Sequence, residues 1–347
     1  MSGAAAAEEE DQFESVQDVI ELDPACNDDS GSGSEYGTGS SEYSTDSLTS
    51  SIYEYRYENG RRYHAYKEGK YVFPNDETEQ ERLDILHHIY VLLYKNKLHL
   101  APVEEPQRIL DIGTGTGIWA IDVAEKYPNA EVIGTDLSPI QPSWVPPNVQ
   151  FQIDDAEADW TFARNSFDLI HIRHLNGAIK DWPKLIREAY RCTKPGGWIE
   201  LAEYEFFLHS DDDSLPKSSS IYKYYDLCNQ AATKLGREFK IAANLKPILV
   251  EAGFESAHHQ VMKVPFGTWP ADKLQKEMGA FLYMTADEGF TAFGMALLTR
   301  VMDMEVDEVN ALIALAKVDA KSRKIHSYSR QHIYYAQKPM CSDDDED

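Results

Sequence analysis

Residues Arg108 to Gly117 read RILDIGTGTG, and the chain continues IWAIDVAEKYPNAEVIGTD as far as Asp136. An apolar run, a loop carrying Gly113, Gly115 and Gly117, a helical stretch and a second apolar run ending in an acid form a pattern suited to adenosine. Glycine lets backbone approach a ligand where a side chain would intervene, and the helix that follows offers free amides and the positive end of its dipole. Asp136 lies about twenty residues beyond the loop, the distance at which a carboxylate meets ribose hydroxyls. A further acid-rich turn, IDDAEADW, follows the apolar run VQFQI. There Asp155, or Asp154 one residue earlier, can accept from the exocyclic amine of adenine, while Ala156 leaves room for a flat base.

The spacing also discriminates between adenosine ligands. A nicotinamide dinucleotide asks for GxGxxG, which would put the third glycine at Ile118, and a triphosphate loop ends in Gly-Lys-Ser/Thr, which does not occur here. Asp111 stands beside the loop, where a pyrophosphate gains nothing from it. The amino-acid end of S-adenosylmethionine fits better: its carboxylate suits the helix start and its ammonium suits Asp111, directly or through water. A NAD-dependent oxidoreductase is the minor alternative.

Methyl transfer from a sulfonium has an activated leaving group, so positioning and desolvation supply much of the acceleration, and a base is needed only when the acceptor must lose a proton. His174, Glu203 and Glu205 near two strand ends, and His326 before the last strand, are candidates for that base. Lone histidines and strand-end carboxylates are more often structural, so no catalytic residue is assigned. No spacing suggests a metal site, and Cys26, Cys192, Cys228 and Cys341 are scattered without a CxxC pair, as expected for reduced thiols.

Strand and helix signals alternate as in a parallel sheet. RILDI, EVIGTD, VQFQI, FDLIHI and WIELAEYEF are predicted strands. IWAIDVAEKY is a predicted helix, and WPKLIREAYRCT is another, capped by Asp181 and ended by KPGG. Upstream, Asn75 or Asp76 caps a helix whose Leu83, Leu86, Ile89, Tyr90 and Leu93 share a face, expected to act as a lid or entry helix. Downstream, helices are expected over about 219–235, in ANLKPILVEAGF and from Asp272 to Lys317. HHQVMKV and QHIYYAQKP are the remaining strands.

Composition bounds the rest. The 347 residues suffice for one large domain with an elaborated cap, and the formal net charge of −26 argues against a basic nucleic-acid face. Residues 1–51 are rich in Ser, Gly, Asp and Glu and are expected to form a disordered acidic tail, with a second acidic tail at 340–347. No leader pattern opens the chain and no apolar run approaches the ~20 residues of a membrane span, so a soluble cytoplasmic or nuclear protein is expected. The cluster KSRK from Lys321 is a feeble nuclear signal.

LDIGTGTG, GTDLSP, IDDAEAD, FDLIHIRHL and LIREAYRCTKPGGWIELAEYE resemble, in order and spacing, the motifs of class I S-adenosylmethionine-dependent methyltransferases. More narrowly, ENGRRYHAYKEGKYVFPNDETEQERLDILHH, YPNAEVIGTDLSPIQP, IKDWPKLIREAYRCTKPGGWIE and IHSYSRQHIYYAQKP resemble the fungal LaeA-like members, over roughly Tyr57 to Pro339. The resemblance implies an α/β, Rossmann-like seven-stranded sheet with the last strand antiparallel. It also implies a lid segment over 52–105 and a catalytic domain over 106–339, with helical cap insertions at about 211–240 and 268–320. It implies cofactor contacts from Asp111, Gly113, Thr114, Gly115, Gly117, Asp136, Leu137, Asp155 and Ala156. Thr114 stands where some relatives carry Cys. His171 occupies a position that often meets the methionine end, or is a half-buried sheet histidine; Tyr63 and Tyr66 either fold over the cofactor or pack together. The implied role is methyl transfer in regulation of fungal secondary metabolism or development with a velvet-type protein partner, or a weakly catalytic interaction protein on the same fold.

Overall fold

The computed structural model describes residues 19–24, 55–58, 61–64 and 74–340. Its sheet takes the order β5-β4-β3-β6-β7-β10, with β9 on the far side of β10. The strands are β3 (Arg108–Ile112), β4 (Glu131–Asp136), β5 (Val149–Ile153), β6 (Phe167–Arg173), β7 (Thr193–Tyr204), β9 (Glu255–Pro265) and β10 (Ser327–Gln337). β5, β4, β3, β6 and β7 pair in parallel, and β10 runs antiparallel between β7 and β9. A two-residue strand, β8 (His209–Ser210), pairs with the start of β10 and makes eight where seven were expected.

Parallel strands are buried on both faces, which is why RILDI and FDLIHI read as nearly continuous apolar runs. Ile109, Val132 and Leu169 pack on one face with Trp119, Ala120 and Val123 of α2 (Ile118–Lys126). Leu110, Ile133 and Ile170 pack on the other with Leu185, Ile186 and Ala189 of α3 (Trp182–Cys192). Asp181 caps α3 by accepting from the amide of Lys184, as predicted. The strand after α3 begins earlier than predicted: KPGG belongs to β7, whose pairing with β6 shifts register between Phe167 and Leu169 and whose Gly196 adopts a left-handed φ of 75°. Glycine absorbs that irregularity without leaving the sheet.

A hairpin, β1 (Tyr55–Glu58) and β2 (Arg61–His64), precedes α1 (Glu77–Leu93). Asp76 is the cap of α1, accepting from the amide of Glu79, and Arg61 grips the same carboxylate through Nε and Nη2 at 2.6 and 2.9 Å. The hairpin is thereby tied to the start of α1. Beyond the sheet, α4 (Ser220–Lys234), α6 (Lys273–Arg300) and α7 (Val306–Lys321) surround an aromatic-rich core that includes Phe206, Tyr224, Phe266 and Phe290. α1 packs on α6 through Leu86, Ile89, Met278 and Leu282. A 3-10 helix (Phe239–Asn244) leads into α5 (Leu245–Glu251).

Most of the tail predicted over 1–51 lies outside the described residues, but 19–24 correct that expectation. Leu22 bridges Pro270, the Asp23 amide donates to the Trp269 carbonyl, and Ile20 is buried against Trp269 and Tyr328. Val19, Ile20 and Leu22 form a short apolar island in acidic sequence, and a single such side chain finds a pocket that composition alone does not reveal. Tyr66 and residues 340–347 other than Met340 also lie outside the described residues. Among the described residues no helix is long and apolar enough to cross a membrane.

Candidate active site

The carboxyl ends of β3, β4, β5 and β6 meet where the strand order reverses, the usual place for a ligand in an open α/β sheet. Gly113, Gly115 and Gly117 all adopt left-handed φ values, of 70°, 59° and 82°, which a side chain would strain. A Cβ on Gly113 would meet Leu175 at 2.4 Å, and one on Gly117 would meet Phe151 at 2.3 Å, so these two glycines admit neighbours from the protein itself. Gly115 differs: its Cβ would find only Leu83, at 3.4 Å, and would otherwise point into open space. That space is a cleft of about 610 Å³, bordered by Gly115, Asp136, Ser138, Ile140, Asn176 and the first turns of α1.

Asp136 closes one side. Its carboxylate accepts from the amides of Gly115 and Ser138 at 2.8 and 2.9 Å, and burial raises its pKa to about 6 despite these bonds. Leu137 follows it, half-buried. The amide of Asp154 donates to the Asp136 carbonyl, which sets the next turn beside it. In that turn Asp155 accepts from the Glu157 amide at 2.9 Å, and the Ala156 carbonyl accepts from the indole of Trp160.

Of the predicted contacts, Gly115 and Asp136 border the cleft, while Asp111, Thr114 and His171 are buried against the loop. Asp111 is buried and accepts from the Thr114 hydroxyl at 2.6 Å and from Nδ1 of His171 at 2.7 Å. His171 is buried in turn, stacked on Trp119 with centroids 3.7 Å apart, and burial lowers its pKa so that it serves as a neutral donor. Asp111, Thr114 and His171 brace the loop from beneath. Tyr63 lies in β2.

A second, aromatic chamber of about 680 Å³ opens beside the cleft, and Arg82, Leu86, His174, Tyr204 and Phe293 border both. Arg82 is held by Glu79 at 2.5 and 2.8 Å and lies over the Phe293 ring. His174 touches Tyr90, with 3.0 Å between Nε2 and the hydroxyl, and burial keeps its pKa well below the usual imidazole value. The other candidate bases are committed elsewhere. Glu203 is fully buried and accepts from the amides of Leu175 and Asn176; burial pushes it up to about 8. Burial also disfavours the charge of Glu205, but hydrogen bonds from His209 and His332 overcome this and hold it well below the carboxylate range. His326 pairs with Asp212 away from both cavities. Among the described residues no cluster of His, Cys, Asp and Glu could hold a metal, and Cys192 and Cys228 are buried free thiols.

Sequence reasoning missed Arg82, Tyr204, Phe206 and Phe293, because the chamber is assembled from elements far apart in the chain; the density of aromatics over residues 203–225 and 281–293 was the only signal.

Comparison with known proteins identifies the family. A family model described as a methyltransferase domain matches residues 85–259. The chain is 42% identical to the methyltransferase pytC of Aspergillus terreus over 295 residues, which is 84% of this chain and 91% of that protein. It is 40% identical to the secondary metabolism regulator LAE1 of Cochliobolus heterostrophus, covering 82% of this chain and 94% of the relative. It is 36% identical to the secondary metabolism regulator laeA of Aspergillus fumigatus, over 94% and 88% of the two chains. With a glycine loop and ribose-spaced acid on a methyltransferase sheet, and kinship over nearly the whole length of these relatives, the chain belongs to the LaeA-like S-adenosylmethionine-dependent methyltransferases.

Proposed function

We propose that the cleft at Gly115 and Asp136 holds S-adenosylmethionine and that the methyl group is passed to an acceptor in the adjoining chamber. The observation that carries this reading is the shared wall: the cleft at the glycine loop and an aromatic chamber meet at Arg82, His174, Tyr204 and Phe293. Bound there, the cofactor supplies an electrophilic methyl group. Asp136 would chelate the ribose, Gly115, Gly117 and Leu137 would offer backbone, and Asp155 and Ala156 would receive the adenine. Gly113 would admit Leu175 beside the loop, while Asp111, Thr114 and His171 would hold its shape. The catalytic domain would span 106–339, with 52–105 as its lid and the helices within about 211–240 and 268–320 as its cap.

The named regulators among the relatives support a role in control of secondary metabolism. The strongly acidic chain is compatible with a protein partner of velvet type, in the nucleus or the cytoplasm. Calorimetry with S-adenosylhomocysteine tests the core of the reading. The wild-type protein is expected to bind and a folded Gly115→Asp protein, its cleft blocked, to lose at least about ten-fold in affinity. Equal affinity in the two would overturn the placement. The same variant, returned to the source organism, separates catalysis from scaffolding: unchanged metabolite profiles would show that methyl transfer is dispensable.

A further inference from the structure

We infer that the methyl acceptor is a small, mostly apolar molecule bearing an acidic hydroxyl, a phenol or an enol, enclosed in the aromatic chamber, and that Nδ1 of His174 takes its proton. This rests on the methyltransferase reading of the neighbouring cleft.

The hydrogen-bond network assigns the tautomer. Tyr90 donates its hydroxyl hydrogen to Oε1 of Gln331 at 2.8 Å, and the amide nitrogen of Gln331 donates to Ser329 at 3.1 Å. The Tyr90 oxygen is then left to accept, so Nε2 of His174, 3.0 Å away, must carry the hydrogen. Nδ1 therefore holds a lone pair, and among the described residues no hydrogen bond engages it. His174 borders both the cleft and the chamber. His174 adopts a left-handed φ of 58°, which is unfavourable for a side chain of this size, and the two amide bonds to Glu203 immediately after it hold the turn.

The chamber selects the partner. Its walls include Tyr90, Tyr204, Phe206, Tyr225, Phe290 and Phe293, an aromatic lining suited to a small, mostly apolar molecule. An ammonium acceptor would need a carboxylate, yet Glu205 is engaged by His209 and His332, and Glu79 by Arg82. In the step itself the acceptor's O–H bond breaks and its proton moves to Nδ1. The oxygen's pair forms the bond to the methyl carbon as the carbon–sulfur bond breaks, and that bond's pair stays on sulfur. The proton then leaves to water when product departs.

The test uses the full-length protein and 4-methylumbelliferone, a fused-ring phenol whose fluorescence distinguishes its neutral and ionised forms. Ala286→Trp, which fills the chamber from α6, is expected to weaken the probe's binding at least about ten-fold and leave S-adenosylhomocysteine affinity unchanged. His174→Asn tolerates the left-handed backbone but is not a base. It is expected to keep both affinities and KM while kcat for the probe falls about 10²–10⁴-fold. Its residual rate should rise with pH as the probe ionises in solution, whereas the wild-type rate stays flat over that range. The groups facing His174 are Tyr90 and Arg82 from α1, Arg173 and His171 from β6, and Tyr204 and Glu203 from β7, and all are retained in this comparison. Failure of the probe to bind, wild-type turnover by His174→Asn, or methylation of a protein chain that Ala286→Trp does not affect would each overturn the inference. Failure of S-adenosylhomocysteine to bind would instead strike the cofactor reading.

Discussion

In the proposed cofactor site Asp136 would carry both recognition and its regulation by acidity. Its raised pKa, about 6, means that a proton competes with the ribose for the carboxylate just below neutrality. S-adenosylhomocysteine affinity measured by calorimetry is expected to be flat above about pH 7 and to weaken up to about ten-fold per unit below pH 6; Asp136→Asn should be weaker throughout and lack that slope. Glu203 acts on stability instead. Its folded pKa, about 8, lies above the ordinary value of 4.5, so the folded state binds the extra proton. The stability this contributes is present below about pH 4.5 and is lost as pH rises through 8. Thermal melts of Glu203→Gln are expected to vary less between pH 5 and 8 than those of the wild type. Gly115 and Asp136 were legible in the sequence because their spacing is local and dictated by one strand-loop-helix unit. The state of His174 was not: it depends on Tyr90 and Gln331, which are 241 residues apart and meet only when α1 packs against β10.

At the scale of elements, α1 couples the N-terminal hairpin to both cavities. Asp76 is at once its cap and the seat of Arg61, while Arg82 and Leu86, further along the helix, line the cleft and the chamber. Asp76→Ala should cost about 1–2 kcal/mol in chemical denaturation and also weaken S-adenosylhomocysteine binding. Asp181→Ala, which removes the cap of α3 behind the sheet, should have a comparable effect on stability with affinity unchanged. Both caps were readable as acids three residues before a helical amide. The hairpin was missed although Asn59-Gly60, the commonest two-residue hairpin loop, separates its strands. The crowding of Tyr and Arg around it drew attention to packing instead. KPGG was read as a stop because Pro and Gly usually punctuate, but here Thr193 and Trp198 on either side pair with β6, and Gly196 and Gly197 bond to the backbone of Lys338 just past β10.

At the scale of the molecule, the alternation of strands and helices sufficed for the sheet, since buried parallel strands must read as apolar runs. Average composition hid the docking of 19–24, because one buried isoleucine does not alter the statistics of an acidic segment. Ile20→Ala is expected to lower stability by on the order of 2 kcal/mol, seen as a reduced melting temperature, without altering cofactor affinity, since Trp269 and Tyr328 lie away from the cleft. β10 has a wider consequence. It enters the sheet between β7 and β9, whose antiparallel neighbour it is on each side, yet it is the last strand among the described residues. A polypeptide interrupted before Ser327, by a nonsense codon or by stalled synthesis, would carry two raw strand margins, and such truncated products should aggregate or be degraded rather than persist as partly active enzyme.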